Sequence, residues 1–234
     1  MRRINNGSCP QVLADNEASE VAALDNMLAS GQELVFNEKI YSHKDVKEAL
    51  KKSHYKKCAY CERFLNGDFG AVEHFRPKGG YQEAKGKPIN KPGYYWLAYH
   101  WDNFLYACSE CNTSYKGNLF PLADESKRDI ANKDISQEEP LLINPCHEDP
   151  GDFIEFHAEY AVPKTIDGQP NAKGDKTISV FGLNDRNDLL ERRRKQWRIV
   201  NLLKSIPPIL DMSQIIDDLT NDKAEFTGMF QNQA

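Results

Sequence analysis

The chain has 234 residues, 40% hydrophobic and 28% charged, so it can bury a core without covalent staples. No apolar run approaches the roughly 18 residues of a membrane span. A formal net charge of −5 argues against a protein that coats nucleic acid non-specifically. Basic Met1-Arg2-Arg3 runs into polar Asn5-Asn6-Gly7-Ser8, where a signal peptide needs an apolar stretch, so the expected location is cytoplasmic, with no membrane contact.

Residues 16–31 carry apolar side chains at helical spacing, with Gly31 placed to stop the helix; residues 43–54 repeat the pattern through Val46, Ala49 and Leu50. The plainer reading of Lys44, Lys47, Lys51 and Lys52 is a solvated face, with nucleic-acid contact as the alternative. Next comes a Cys58-Ala59-Tyr60-Cys61 knuckle, a short strand over 69–76 and a Gly/Pro/Lys-rich loop over 79–93 that is not expected to be regular. An aromatic helical turn over 94–100, a second strand over 103–107 and a helix over 110–115 ended by Gly117 complete the centre. Beyond Pro121 the signals weaken. Short extended pieces are expected at 141–145 and 153–156, and residues 177–184 lead into a long helix over 186–206 ended by Pro207-Pro208. In that helix Leu189, Leu190, Trp197, Val200 and Leu203 should face inward. Arg192, Arg193, Arg194, Lys195 and Arg198 should stay solvated, as a plain surface or else a nucleic-acid or partner contact. A polar, acidic segment ends the sequence. The expected division is an N-terminal helical segment (1–53), a central module (54–128) and a mainly helical accessory region (129–234) that could carry a partner contact.

Six cysteines raise the question of disulfides. Four of them lie in two CxxC pairs, Cys58/Cys61 and Cys108/Cys111, the spacing that brings two thiolates to one tetrahedral Zn²⁺ from a tight turn. Without an export signal, zinc is favoured. Four thiolates close the coordination sphere, so this site is structural, tying the entry of the first strand to the start of the helix. Cys9 and Cys146 read as ordinary part-buried cysteines, with Cys146-His147 worth examining as an extra metal site.

The central stretch also carries a hard-metal pattern. Mg²⁺ is usually held by one or two protein oxygens, and Glu73 and Asn112 supply a carboxylate and an amide oxygen. His74, on the opposite face of the strand from Glu73, can point at water and act as general base. Arg76, returning to the face of His74, and Lys116, one turn beyond Asn112, could touch a phosphate. Residues 54–128 hold 11 Lys/Arg against 8 Asp/Glu while the remainder holds 19 against 27, a locally cationic balance that suits phosphodiester chemistry.

The order Cys-x2-Cys, Glu73-His74, Asn103, Cys-x2-Cys-Asn112 and Lys116-Gly117 resembles the HNH endonuclease superfamily, with Asn in the last motif position. The resemblance implies an α+β fold with a ββα-metal core stapled by the four-cysteine zinc site and embedded in a mainly helical protein. It implies His74 as general base, Glu73 and Asn112 as ligands of a catalytic Mg²⁺ or Mn²⁺, and Asn103 as the residue ordering the loop that orients the base. Arg76, Lys78 and Lys116 would contact substrate. Residues 72–78, 95–103, 116–122 and 142–145 more specifically resemble the HNH subunit of Septu anti-phage systems, also found with some retrons. That implies a nucleic acid substrate, DNA or an RNA such as tRNA, and a large ABC-type ATPase partner. In the retron case a retron RNA/DNA and reverse transcriptase would join it. The chain has no Walker A sequence, so control by an outside partner is consistent. The competing reading is a catalytically inactive zinc-stabilised module that binds nucleic acid or a partner; a thiol redox protein would need an exposed, reactive CxxC.

Overall fold

In the computed structural model, which describes residues 1–66, 70–207 and 210–231, the centre is built on two short antiparallel strands, β1 (Ala71–His74) and β2 (Phe104–Ala107). Their register pairs Glu73 with Leu105 and His74 with Phe104. Phe104, Leu105, Tyr106 and Ala107 are all buried, as expected of a strand covered on both faces. Gly70 precedes β1 because a Cβ there would fall 2.1 Å from the Tyr106 ring. The first knuckle docks on β2 through Ala59 N–H to Tyr106 O, 2.8 Å. After β2 the chain enters a π-helix, Glu110–Lys116, which Gly117 ends with φ 50° while its N–H bonds back to Asn112 O at 2.8 Å. The expected strand, strand and helix are therefore present, with Phe69 outside the described residues.

Three helices precede this centre: α1 (Gln11–Ala29), the single turn α2 (Glu38–Tyr41) and α3 (Lys44–Ser53). α1 begins earlier than the periodicity suggests, because Leu13 is fully buried and belongs to its inner face with Leu24. Gly31 stops it as expected, at φ 68°, with Gly31 N–H bonding Leu28 O and Gln32 N–H bonding Met27 O. α3 buries Val46 and Leu50 against the strands while Lys44, Lys47 and Lys52 are exposed. The 79–93 loop is closed at its base by a reciprocal backbone pair between Tyr81 and Asn90.

The C-terminal part holds the hairpins β3 (Ile154–His157) with β4 (Tyr160–Pro163) and β5 (Thr165–Ile166) with β6 (Gln169–Pro170). They are followed by α4 (Ala172–Val180), α5 (Asn187–Lys204) and α6 (Ser213–Thr220). α5 is the long helix expected before Pro207, and Pro208 lies outside the described residues. Residues 141–145 form no strand. Two helices of this part were not foreseen, nor was the single turn α2. α4 is capped by Asn171, whose side chain accepts from Gly174 N–H at 3.0 Å; Gly174 argues against a helix, yet it is glycine because a Cβ would sit 2.2 Å from Phe153 O. α6 buries none of its residues. Arg193 corrects the solvated basic run: it is 1% exposed, donates to Leu183 O at 2.6 Å, and lies over the Phe156 and Phe226 rings. Burial pushes its guanidinium down to about 10. Helical spacing marks which positions share a face, but a stem as long as arginine's can cross that face into the core. One hydrophobic cluster draws on residues 1–53, 54–128 and 129–234 alike. The whole is α+β, helices with small antiparallel strand pairs, and no helix among the described residues is long and apolar enough to cross a membrane.

Candidate functional site

The sulfurs of Cys58, Cys61, Cys108 and Cys111 lie within 4.8 Å of one another, and all four residues are buried. Sulfurs bound at about 2.3 Å to a tetrahedral Zn²⁺ stand about 3.8 Å apart, and Cys61 Sγ to Cys108 Sγ is 3.9 Å. The surroundings fit thiolates. The buried Arg186 donates from Nη1 to Cys111 Sγ at 3.2 Å, Cys111 N–H donates to Cys108 Sγ at 3.3 Å, and Arg63 and Arg186 share Glu110. A guanidinium withdrawn from water beside a sulfur is tolerable when that sulfur carries negative charge, as on a metal. The four cysteines can therefore hold zinc, and their burial leaves no exposed dithiol for redox exchange. Among the described residues no second group of three or more metal-ligating side chains comes together. His147 is exposed, with Nε2 near Asp102 O at 3.3 Å.

Beside the knuckle a cleft of about 610 Å³ is lined by Glu73, His74, Lys78 and Asn112, together with Tyr41, Phe36 and Asn118. Glu73 is 4% exposed, and its Oε1 meets Lys116 Nζ at 2.6 Å and Tyr60 OH at 3.4 Å. Burial raises the carboxyl's pKa and the Lys116 ammonium opposes that rise. Oε2 takes no hydrogen bond from the described residues, nor does the Asn112 side chain, so two oxygen donors suited to a hard cation line one cavity. Lys116 thus serves as counter-ion to Glu73 and donor to His74 O at 3.0 Å, with its side chain 1% exposed; it does not reach into open solvent as a phosphate contact would.

His74 sits edge-on between Tyr41 and Phe104. Burial, then the nearby Lys78 charge, hold its pKa well below the ordinary value. Nε2 is 2.9 Å from Ala98 O. A carbonyl only accepts, so Nε2 carries the proton and Nδ1 is the basic nitrogen. Asn103 lies in the turn just before β2. Its Nδ2 donates to Leu97 O (3.0 Å) and Arg76 O (3.1 Å), and its Oδ1 accepts from Arg76 N–H (2.8 Å). It therefore fixes the turn that supplies the Ala98 carbonyl. Lys78 Nζ lies 4.4 Å from the Tyr41 ring centre and 5.4 Å from that of Phe36, and burial lowers its pKa. Arg76 is placed elsewhere: β1 ends at His74, so strand alternation does not carry two residues further. Its guanidinium pairs with fully buried Glu138 and lies over Tyr94 and Phe120. Tyr60, the Ala98 carbonyl and the aromatic seat of Lys78 were not foreseen, because nothing in their spacing signals a contact made by folding. A slightly larger cleft of about 650 Å³, between α5 and residues 218–226, carries none of the predicted site residues.

Fold and site together define an α+β protein organised by a four-cysteine knuckle able to hold a metal, with a carboxylate, an imidazole, an amide and an ammonium converging beside it. No family model matches the chain. It is similar to the Septu protein PtuB of Bacillus mycoides (strain KBAB4), 39% identical over 184 residues, which is 78% of this chain and 58% of that protein. The chain thus aligns with a little over half the length of that relative.

Proposed function

We propose that the chain is a metal-dependent HNH-type endonuclease that hydrolyses phosphodiester bonds of DNA or RNA, with β1, β2 and the π-helix as its ββα-metal core. The observation that carries this is the convergence of Glu73, His74, Lys78 and Asn112 on one cleft. His74, held neutral by burial and oriented by Ala98 O, accepts at Nδ1 a proton from the attacking water. Asn103 acts as a positioning residue through the turn it fixes. Lys78 meets the substrate phosphate from its aromatic seat. Glu73 and Asn112 would hold Mg²⁺ or Mn²⁺, which would stabilise charge developing on the phosphoryl and leaving 3′ oxygens. Lys116 opposes the rise that burial imposes on the Glu73 carboxyl and holds it in place.

The likeness to a Septu protein supports a cytoplasmic effector subunit of an anti-phage complex, restrained by an ABC-type ATPase partner. A retron RNA/DNA and reverse transcriptase are the further components a retron-linked version would bring. Division of labour follows the three segments, with 54–128 catalytic and 129–234 covering the knuckle and meeting the partner. Zinc-loaded protein, with and without the ATPase subunit, is to be incubated with DNA and RNA in Mg²⁺ or Mn²⁺. His74→Ala is expected to lose roughly 10²-fold or more of the cleavage rate. Cleavage surviving that change would remove His74 from the mechanism, and wild-type inactivity under every condition would favour a zinc-stabilised binding module.

A further inference from the structure

The cleft does not end at Lys78. A second cavity of about 460 Å³ continues from it between the 28–36 segment and the 79–92 loop, lined by Leu28, Gln32, Ile89, Lys91 and Pro92 among others. The two cavities share Leu34, Phe36, Gly79 and Asn118, so they form one groove leading away from Glu73 and His74. Its chemistry changes along its length. The catalytic end has the Lys78 ammonium; the extension has exposed apolar side chains, Leu28 at 39% and Ile89 at 48%, with Val35 at 68% at the cleft. The charged residues of the extension, Glu33 and Lys91, face each other at 3.5 Å. Gly79 lines both cavities, and an added Cβ there would meet only Phe36 Cε2, at 3.7 Å, so space that a side chain could occupy is left empty where the two meet.

A wall that follows a duplex needs successive unpaired cations along the phosphates, and this extension offers apolar surface with amide groups from Gln32 and Asn118. Such surface beside a phosphate-binding cation suits the flat face of a nucleobase lifted out of any stack, and the volume is that of a small-molecule site. We propose that the groove over Gly79 is a subsite for an unpaired nucleobase next to the scissile phosphate, so that the substrate is cleaved within a single strand. This rests on the endonuclease function proposed above. Lys78 takes the phosphate, Gly79 lets the sugar-phosphate chain pass, and Ile89 and Pro92 cover the base.

The test uses the full zinc-loaded chain and three labelled oligonucleotides: a single strand, the same strand in a duplex, and the single strand with one abasic residue. Binding is read by anisotropy in Ca²⁺ and cleavage in Mn²⁺, with cleavage ends mapped so that the abasic residue can be set beside the cut bond. The single strand should bind and be cut at least about 10-fold better than the duplex, and the abasic change should weaken binding by roughly 5- to 100-fold. Ile89→Ser should raise KM for the base-containing strand with kcat nearly unchanged, and narrow the difference between intact and abasic strands. Gly79→Leu should block both strands alike. Equal use of duplex and single strand, indifference to the abasic residue, or no binding to any of the three overturns the subsite. Duplex cleavage as fast as that of the single strand, and dependent on His74, would do so while leaving the nuclease intact. Base-dependent binding without cleavage would keep the subsite and remove the nuclease.

Discussion

Lys116 stands four residues beyond Asn112 on the π-helix, and its ammonium turns inward to Glu73 Oε1 at 2.6 Å and His74 O at 3.0 Å. Breaking a buried ion pair by removing one partner costs about 3–5 kcal/mol, because the other charge is left without compensation. Lys116→Met should therefore destabilise the zinc-loaded protein by about that much. If Glu73 is also a ligand of a hard cation, millimolar Mn²⁺ should recover a large part of the deficit, since a divalent ion on the carboxylate replaces the lost ammonium. Urea unfolding of wild type and variant, with and without Mn²⁺, reads this; a deficit indifferent to Mn²⁺ would take Glu73 out of the metal site. The same residues mark how far the site could be read from sequence. Glu73, His74 and Asn112 are chemically distinctive and lie on two short elements, with Lys78 a few residues beyond β1, and the four do share a cleft. Arg76 and Lys116 have the same outward chemistry but end on Glu138 and Glu73. No pattern of spacing reveals which cation will be taken by a buried acid, since that is settled by partners up to 62 residues away.

Among the elements, α3 is joined to β2 by one imidazole. His54 is 2% exposed; its Nδ1–H donates to Leu50 O at 2.8 Å, and Nε2 accepts Tyr106 N–H at 3.2 Å. The bond from Tyr106 N–H requires Nε2 without a proton, hence the neutral ring, and burial pushes its pKa down to about 3. An unfolded histidine titrates near 6.5. Between those values the unfolded chain binds the extra proton, so stability from neutral His54 is complete above about pH 6.5 and is lost as pH falls toward 3. By about pH 5 the loss is about 2 kcal/mol. His54→Gln should flatten the fall in stability between pH 7 and 5 relative to wild type, as measured by denaturant midpoints. Acid release of zinc acts on both proteins and cancels in the difference. An unchanged slope would mean that His54 is not the group responsible. The fold was legible where elements carry strong local signals. The CxxC turns, Gly31 and Gly117 mark their ends correctly, whereas α4 was hidden by a glycine kept for close packing on Phe153 and α6 by burying none of its residues fully.

At the scale of the molecule, the cysteine knuckle joins more than the two elements that supply its ligands. Tyr60, between the first two cysteines, stacks on Phe181 just after α4, with ring centres 3.8 Å apart, and its hydroxyl is 3.4 Å from Glu73. Arg186, at the start of α5, donates to Cys111 Sγ and pairs with Glu110, while Arg63 reaches Glu110 at 3.1 Å and Asp188 at 3.8 Å. The C-terminal region is thus fastened to the four-cysteine cluster by positive charge. Four thiolates around Zn²⁺ leave a net charge of about −2, and a buried guanidinium offsets part of it where water cannot. Two results follow. Stripping the zinc should loosen β1, β2 and the first turn of α5 together, seen as faster amide exchange in all three, with the candidate active site lost at the same time. Arg186→Ala should weaken zinc affinity by roughly 10- to 100-fold, the usual effect of removing a partner just outside the ligands. It should also speed zinc release to a chromogenic chelator when thiols are alkylated. Arg186→Lys should restore little, because an ammonium cannot reach Cys111 and Glu110 as a planar fork does. Unaltered affinity and release in Arg186→Ala would mean that the knuckle is held by its sulfurs alone, and that α5 only rests against it.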